Sequence, residues 1–74
     1  MDTQFRGNEL LVSGETTGVR VAIKTPVDSI VVDVEDGDFE AKLNVEPGEN
    51  QVLVAAANGT DIETSETTVR RLRL

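Results

Sequence analysis

Apolar residues recur at every second position along much of this chain. Val19, Val21 and Ile23 fall on one face, with Arg20, Ala22 and Lys24 on the other. Ile30, Val32 and Val34 alternate with Val31 and Asp33, and Phe39, Ala41, Leu43 and Val45 with Glu40, Lys42 and Asn44. A period of two sends successive side chains to opposite faces of a pleated backbone, so these runs predict half-buried strands. Residues 52–57, Val-Leu-Val-Ala-Ala-Ala, are apolar on both faces. They predict a central strand, covered on either side or meeting a neighbouring domain with its outer face. Pro47-Gly48 before the run and Asn58-Gly59 after it leave too little length for a helix. An opening strand is expected at residues 10–13 and a closing one within 62–72.

Turn chemistry separates the runs. Ser13-Gly14 and Thr17-Gly18 bracket the first loop, and Thr25-Pro26 ends a strand, because the residue before proline is restricted and the ring lacks an N–H. Asp36-Gly37 and Asn58-Gly59 both suit the centre of a type I′ turn, which needs positive φ at two successive residues. Six or seven short antiparallel strands, with turns about every 8–12 residues, predict an all-β sandwich or small barrel without helix. Residues 1–8 are expected as a flexible N-terminal segment, 9–72 as a single domain and 73–74 as its C-terminal end. The phase slips in the last strand, where Ile62, Leu72 and Leu74 are even and Val69 is odd. A bulge within residues 65–68, or a frayed end after Arg70, would reconcile them. The polar run Thr64-Ser65-Glu66-Thr67-Thr68 suits a solvent-facing edge strand, where charge discourages edge pairing. The expected core is Val12, Val21, Ile23, Ile30, Val32, Val34, Phe39, Leu43, Val45, Val52, Val54, Ile62 and Val69.

Several of these strings carry a resemblance: Val12-Ser13-Gly14-Glu15-Thr16-Thr17-Gly18-Val19-Arg20-Val21, then Asp36-Gly37-Asp38-Phe39, then Glu46-Pro47-Gly48-Glu49-Asn50 leading into 51–56, and Thr67-Thr68-Val69. Together they resemble the immunoglobulin-like modules of bacterial and archaeal surface proteins, of the glucodextranase domain B kind. The transthyretin-like carboxypeptidase regulatory modules share the "DG-x-F" and "PG" elements but usually place an aromatic near the position of Asn50. The resemblance implies an immunoglobulin-like β-sandwich with a spacer, adhesive or accessory role beside a catalytic or anchoring domain. It carries no catalytic residue over, since its shared features are turns and core positions.

Composition narrows the chemistry. The 74 residues include no Cys, His, Trp or Tyr. Nucleophilic thiols, Ser-His catalysis, iron–sulfur ligation and ordinary zinc sites are therefore excluded or nearly so. Asp and Glu number 14 against 7 Lys and Arg, a net charge of −7 that opposes binding to a phosphate backbone. Phe5 and Phe39 are the only aromatics, too few for base stacking. An acidic, Lys-poor chain rich in Val and Thr is consistent with a protein of concentrated salt, where carboxylates hold water and screening removes their repulsion. It is equally consistent with an ordinary acidic domain. No apolar run reaches the ~20 residues of a membrane-spanning helix, so no membrane insertion is expected. The opening Met1-Asp2-Thr3-Gln4 has neither the charged nor the apolar region of a signal peptide. Two expectations follow: a chain that stays inside the cell, or a domain belonging to a larger exported protein.

Four constellations could carry chemistry. Asp33, Glu35, Asp36, Asp38 and Glu40 form the densest acid cluster, of the oxygen-rich kind that hard cations prefer. Their spacing departs from the calcium-loop pattern, so a solvated hairpin tip is expected and no metal or other cofactor is assigned. Glu35 and Glu40 flank that tip, but a glycosidase pair also needs a cleft with sugar-stacking surface, and no enzyme activity is expected. Asn58-Gly59-Thr60 is an N-x-[ST] sequence, which makes Asn58 a glycosylation candidate if the domain is exported. Arg70-Arg71-Leu72-Arg73-Leu74 concentrates positive charge, to meet an acidic partner or a membrane surface, to pair with the domain's own carboxylates, or to begin a linker.

The expected function is a non-catalytic structural or interaction module of a larger cell-surface or secreted prokaryotic protein. Its partners would be neighbouring domains of the same polypeptide or another protein. One alternative is an accessory or carbohydrate-binding module of a polysaccharide-active enzyme. Another is a free-standing cytoplasmic β-protein, from a halophile or not, that acts through a strand edge.

Overall fold

The computed structural model describes residues 2–71. Among them are seven strands and no helix: β1 (Asp2–Arg6), β2 (Glu9–Glu15), β3 (Arg20–Lys24), β4 (Ser29–Asp33), β5 (Asp38–Asn44), β6 (Gly48–Asn58) and β7 (Asp61–Arg71). They form two antiparallel sheets, β1-β2-β5 and β4-β3-β6-β7. The alternation at 21–23 and 39–45 becomes alternate burial in β3 and β5, whose odd positions point inward. Leu10 and Val12 of β2, Phe39, Ala41 and Leu43 of β5, and Val45 meet Val21 and Ile23 of β3 and Val52 and Val54 of β6 in one core. Ile30, Val32, Val34, Ala56 and Val69 pack half-buried against it.

The chain crosses between sheets at β2–β3, β4–β5 and β5–β6, the second time through a tight turn. Asp36 and Gly37 take φ of 52° and 82°, the two successive positive values that a type I′ turn requires. Glu35 and Asp38 exchange two backbone hydrogen bonds of 2.9 Å across the turn. The reversal is thus the expected one, but it joins strands of different sheets and is closed by a single isolated bridge. At the other end of β5, the β3–β4 loop grips Asn44. The hydroxyl of Thr25, a buried residue, donates to the Asn44 carbonyl at 2.8 Å, and Asp28 Oδ2 accepts from the Asn44 amide at 2.9 Å. Both ends of β5 are therefore tied to the second sheet.

Four expectations are corrected. Residues 2–6 are not a loose segment but β1, paired with β2 from Asp2↔Ser13 to Arg6↔Glu9 around Gly7, at φ 61°. Every β1 residue is exposed, so no alternation of apolar positions marked this strand; the turn and the ladder make it. The β6–β7 turn centres on Gly59-Thr60 rather than Asn58-Gly59, because Asn58 and Asp61 pair with each other. Gly59 alone is at positive φ, 64°, as in a type II′ turn. No bulge interrupts β7, which pairs with β6 residue for residue from Asn58↔Asp61 to Gly48↔Arg71. That register points Val69 inward, opposite buried Asn50, and Ile62 outward, opposite Ala57. Ile62 is 66% exposed and no part of the core, and the odd and even positions need no phase slip to explain them. Val19 is likewise exposed: it precedes β3, and its amide is spent on the Ala57 carbonyl at 2.8 Å. Leu72, like residues 73–74, lies outside the described residues.

Candidate functional site

The acids singled out in the sequence gather at one end of the molecule. Asp33 closes β4, Glu35 and Asp36 belong to the I′ turn, and Asp38 and Glu40 begin β5. The sheet pairing adds two more, since Asp2 and Glu40 both lie opposite Ser13, and Glu15 opposite Asp38. All seven acidic residues border an open concavity of about 760 Å³, with Ser13, Gly14 and Phe39. Asp2 and Glu15 were not part of the sequence cluster, because only the strand register brings them in. Half of the chain's acids thus face one region, while Arg20 offers Asp33 a single exposed ion pair at 3.4 Å. Exposed pairs of this kind contribute ~0–1 kcal/mol.

Backbone bonds hold the shape of this end. The Thr16 amide donates to the Gly37 carbonyl at 2.9 Å, the Val34 amide to the Val19 carbonyl at 3.0 Å. Gly18 is buried where a Cβ would stand 3.0 Å from the Ala57 carbonyl oxygen, so a larger residue there would push the loop before β3 a few tenths of an ångström away from β6. Among the described residues no three acidic side chains converge into a metal-binding group. What the arrangement produces is concentrated negative potential on a fixed scaffold.

Asn58 lies on the β6–β7 hairpin beside its tip and is exposed, so its amide is open to a modifying enzyme. Arg70 pairs with Glu49 across β6 at 3.2 Å, exposed. The Arg71 guanidinium donates to the Val45 carbonyl at 3.2 Å and to Asn8 Oδ1. These two basic residues are therefore engaged within the domain, and Leu72, Arg73 and Leu74 lie outside the described residues. The outer face of the larger sheet carries Ala22, Val31, Leu53 and Ala55 around a shallow groove of about 670 Å³, which accounts for the two-sided apolar character of 52–57. Asn50 is the residue whose part the alternation did not disclose. It is fully buried: its Oδ1 accepts from the Glu46 amide at 2.9 Å, and its Nδ2 donates to the carbonyls of Glu46 at 2.7 Å and Gly48 at 3.2 Å. Its position in Pro47-Gly48-Glu49-Asn50, just after a turn, was the available signal.

The crowding of carboxylates gives a salt dependence with a definite sign. Folding draws charges of a −7 chain together, and the Debye length falls from ~10 Å at 0.1 M to ~3 Å at 1 M salt. The thermal midpoint is expected to rise with sodium chloride, and further with a sulfate salt, which also strengthens apolar burial. A gain that continues past ~1 M would mark a surface adapted to brine, since screening is then nearly complete. A midpoint flat or falling with salt would contradict the repulsion argument.

No protein-family model, curated protein or solved structure gives a significant match to this chain.

Proposed function

We propose that the chain is an immunoglobulin-like β-sandwich acting as a non-catalytic spacer or adhesive module in a larger cell-surface or secreted prokaryotic protein. The observation that carries the reading is the direction of the chain. Asp2 lies at the acidic end, opposite Ser13, while Arg71 lies at the other, opposite Gly48 and bonded to the Val45 carbonyl. A polypeptide that enters at one end and leaves at the other transmits position between whatever precedes and follows it. The long axis of 42 Å against 19 and 15 Å suits such a strut. The strand order lends support too. It differs from the constant-type immunoglobulin order only in the fourth strand, which here joins the third strand's sheet.

Nitroxide labels at Asp2→Cys and Arg70→Cys test the mechanical claim by pulsed electron resonance. One narrow distance distribution is expected, and a broad or multimodal one would defeat the strut reading. In parallel, soluble polysaccharides are expected to leave the amide spectrum unmoved. Saturable shifts around Val31 and Leu53 would replace the spacer with a carbohydrate-binding module.

A further inference from the structure

We propose that β7 pairs edge to edge with β7 of a second copy of this chain, antiparallel, with Thr67 on the two-fold axis, merging the two four-stranded sheets into one. Among the described residues no element lies beyond β7 in its sheet. The strand is 11 residues long and follows β6 without a bulge, and it contains no Gly, Pro or Lys. In an antiparallel ladder alternate residues turn their N–H and C=O groups away from the paired neighbour, so β7 presents a long row of such groups outward. Natural sheets blunt an edge of this kind, a template for another strand, with bulges, proline, lysine or other charges; β7 has only the charges, Asp61, Glu63, Glu66, Arg70 and Arg71, which repel a strand of the wrong charge pattern and admit a complementary one.

Charge selects the occupant. Asp61, Glu63 and Glu66 occupy the first part of β7, and Arg70 and Arg71 its end. A parallel partner copy would set like charges side by side, whereas an antiparallel one sets acids against bases, twice by symmetry. With Thr67 on the axis, Glu63 opposes Arg71 of the second copy and Thr64 opposes Arg70, with overlap across residues 63–71. Moving the axis to Glu66 would place that carboxylate against itself. Arg71 already holds the Val45 carbonyl and Asn8, but a guanidinium has five N–H donors and keeps some for a carboxylate.

Sedimentation equilibrium in about 0.5 M sodium chloride, which screens the net repulsion between copies, is expected to show a dimer that grows with concentration. Glu63→Arg replaces two attractive pairs by two repulsive ones and should raise the dissociation constant about 10-fold, with an unchanged circular dichroism spectrum. Residues directly opposite across an antiparallel pair lie ~4.5–5.5 Å apart at Cα, within disulfide range. In oxidised glutathione the Thr67→Cys variant should therefore close to a covalent dimer faster than Thr64→Cys, Thr68→Cys or Val31→Cys. Monomer alone up to about 1 mM would overturn the proposal. Fastest closure at any of the other three positions would overturn it too, Val31→Cys by pointing to stacking through the outer face. The strut reading stands or falls separately, on the label distances within one copy, read with the doubly labelled chain diluted into excess unlabelled protein so that distances between copies do not contribute.

Discussion

Asn50→Ala is expected to cost about 2–4 kcal/mol of folding stability, although the side chain touches no candidate functional group. The amide makes three hydrogen bonds that hold the turn through Pro47 and Gly48, where Gly48 sits at φ 92°. Alanine leaves the Glu46 N–H and two carbonyls without those partners. Each group left unsatisfied costs ~1–3 kcal/mol when buried, and the exposed position of Glu46 lets water recover part of it. In a domain this small each kcal/mol moves the thermal midpoint by ~4–8 °C, so a fall of roughly 10–30 °C is expected. Asn50→Asp should be at least as damaging, because it keeps the acceptor, loses both donors and places a carboxylate in a fully buried position. Thermal melts of both variants check this. A loss below about 0.5 kcal/mol for either, the ordinary range of surface substitutions, would show that the buried amide does not hold the turn.

Asn50 also shows where sequence reading stops. Alternation reports whether a face is apolar, and it located β3, β5 and most of the core because those strands have one buried and one solvated face. A buried amide is polar by composition and interior by position, so the periodic pattern counts it on the wrong side. β1 failed for the opposite reason: it is exposed on every residue and exists through its ladder with β2. The acidic end was half legible. Its hairpin acids are neighbours in sequence, but Asp2 and Glu15 join them through pairings between distant segments. That the β6–β7 hairpin turns on Gly59-Thr60 followed from which residues pair: moving a two-residue turn along by one would change every partner but keep each β7 residue on its face, whereas a one-residue slip of register would exchange the faces of all of β7.

Exchanged faces give the second large effect, a contrast between two aliphatic residues that the sequence treated alike. Leu43 is fully buried in β5, opposite Leu10 of β2. Leu43→Ala should cost ~2–5 kcal/mol, the lost transfer energy plus that of the cavity left behind. Typical stabilities of ~0.05–0.15 kcal/mol per residue make that a large share of what a chain of 74 residues has available, so the variant should be partly unfolded at ambient temperature. Ile62→Ala removes a comparable side chain from the outer face of β7, where 66% of the residue already meets water, and should fall within about 0.5 kcal/mol of the parent. Val69→Ala, half-buried against the core, belongs between them. Urea denaturation of the three variants reads the order directly. Were Ile62→Ala to prove as costly as Leu43→Ala, β7 would have to be turned over. Its inward row would then be Ile62, Thr64, Glu66, Thr68 and Arg70, and the opposition of Glu63 to Arg71 across a β7 pair would move to the other face of the sheet.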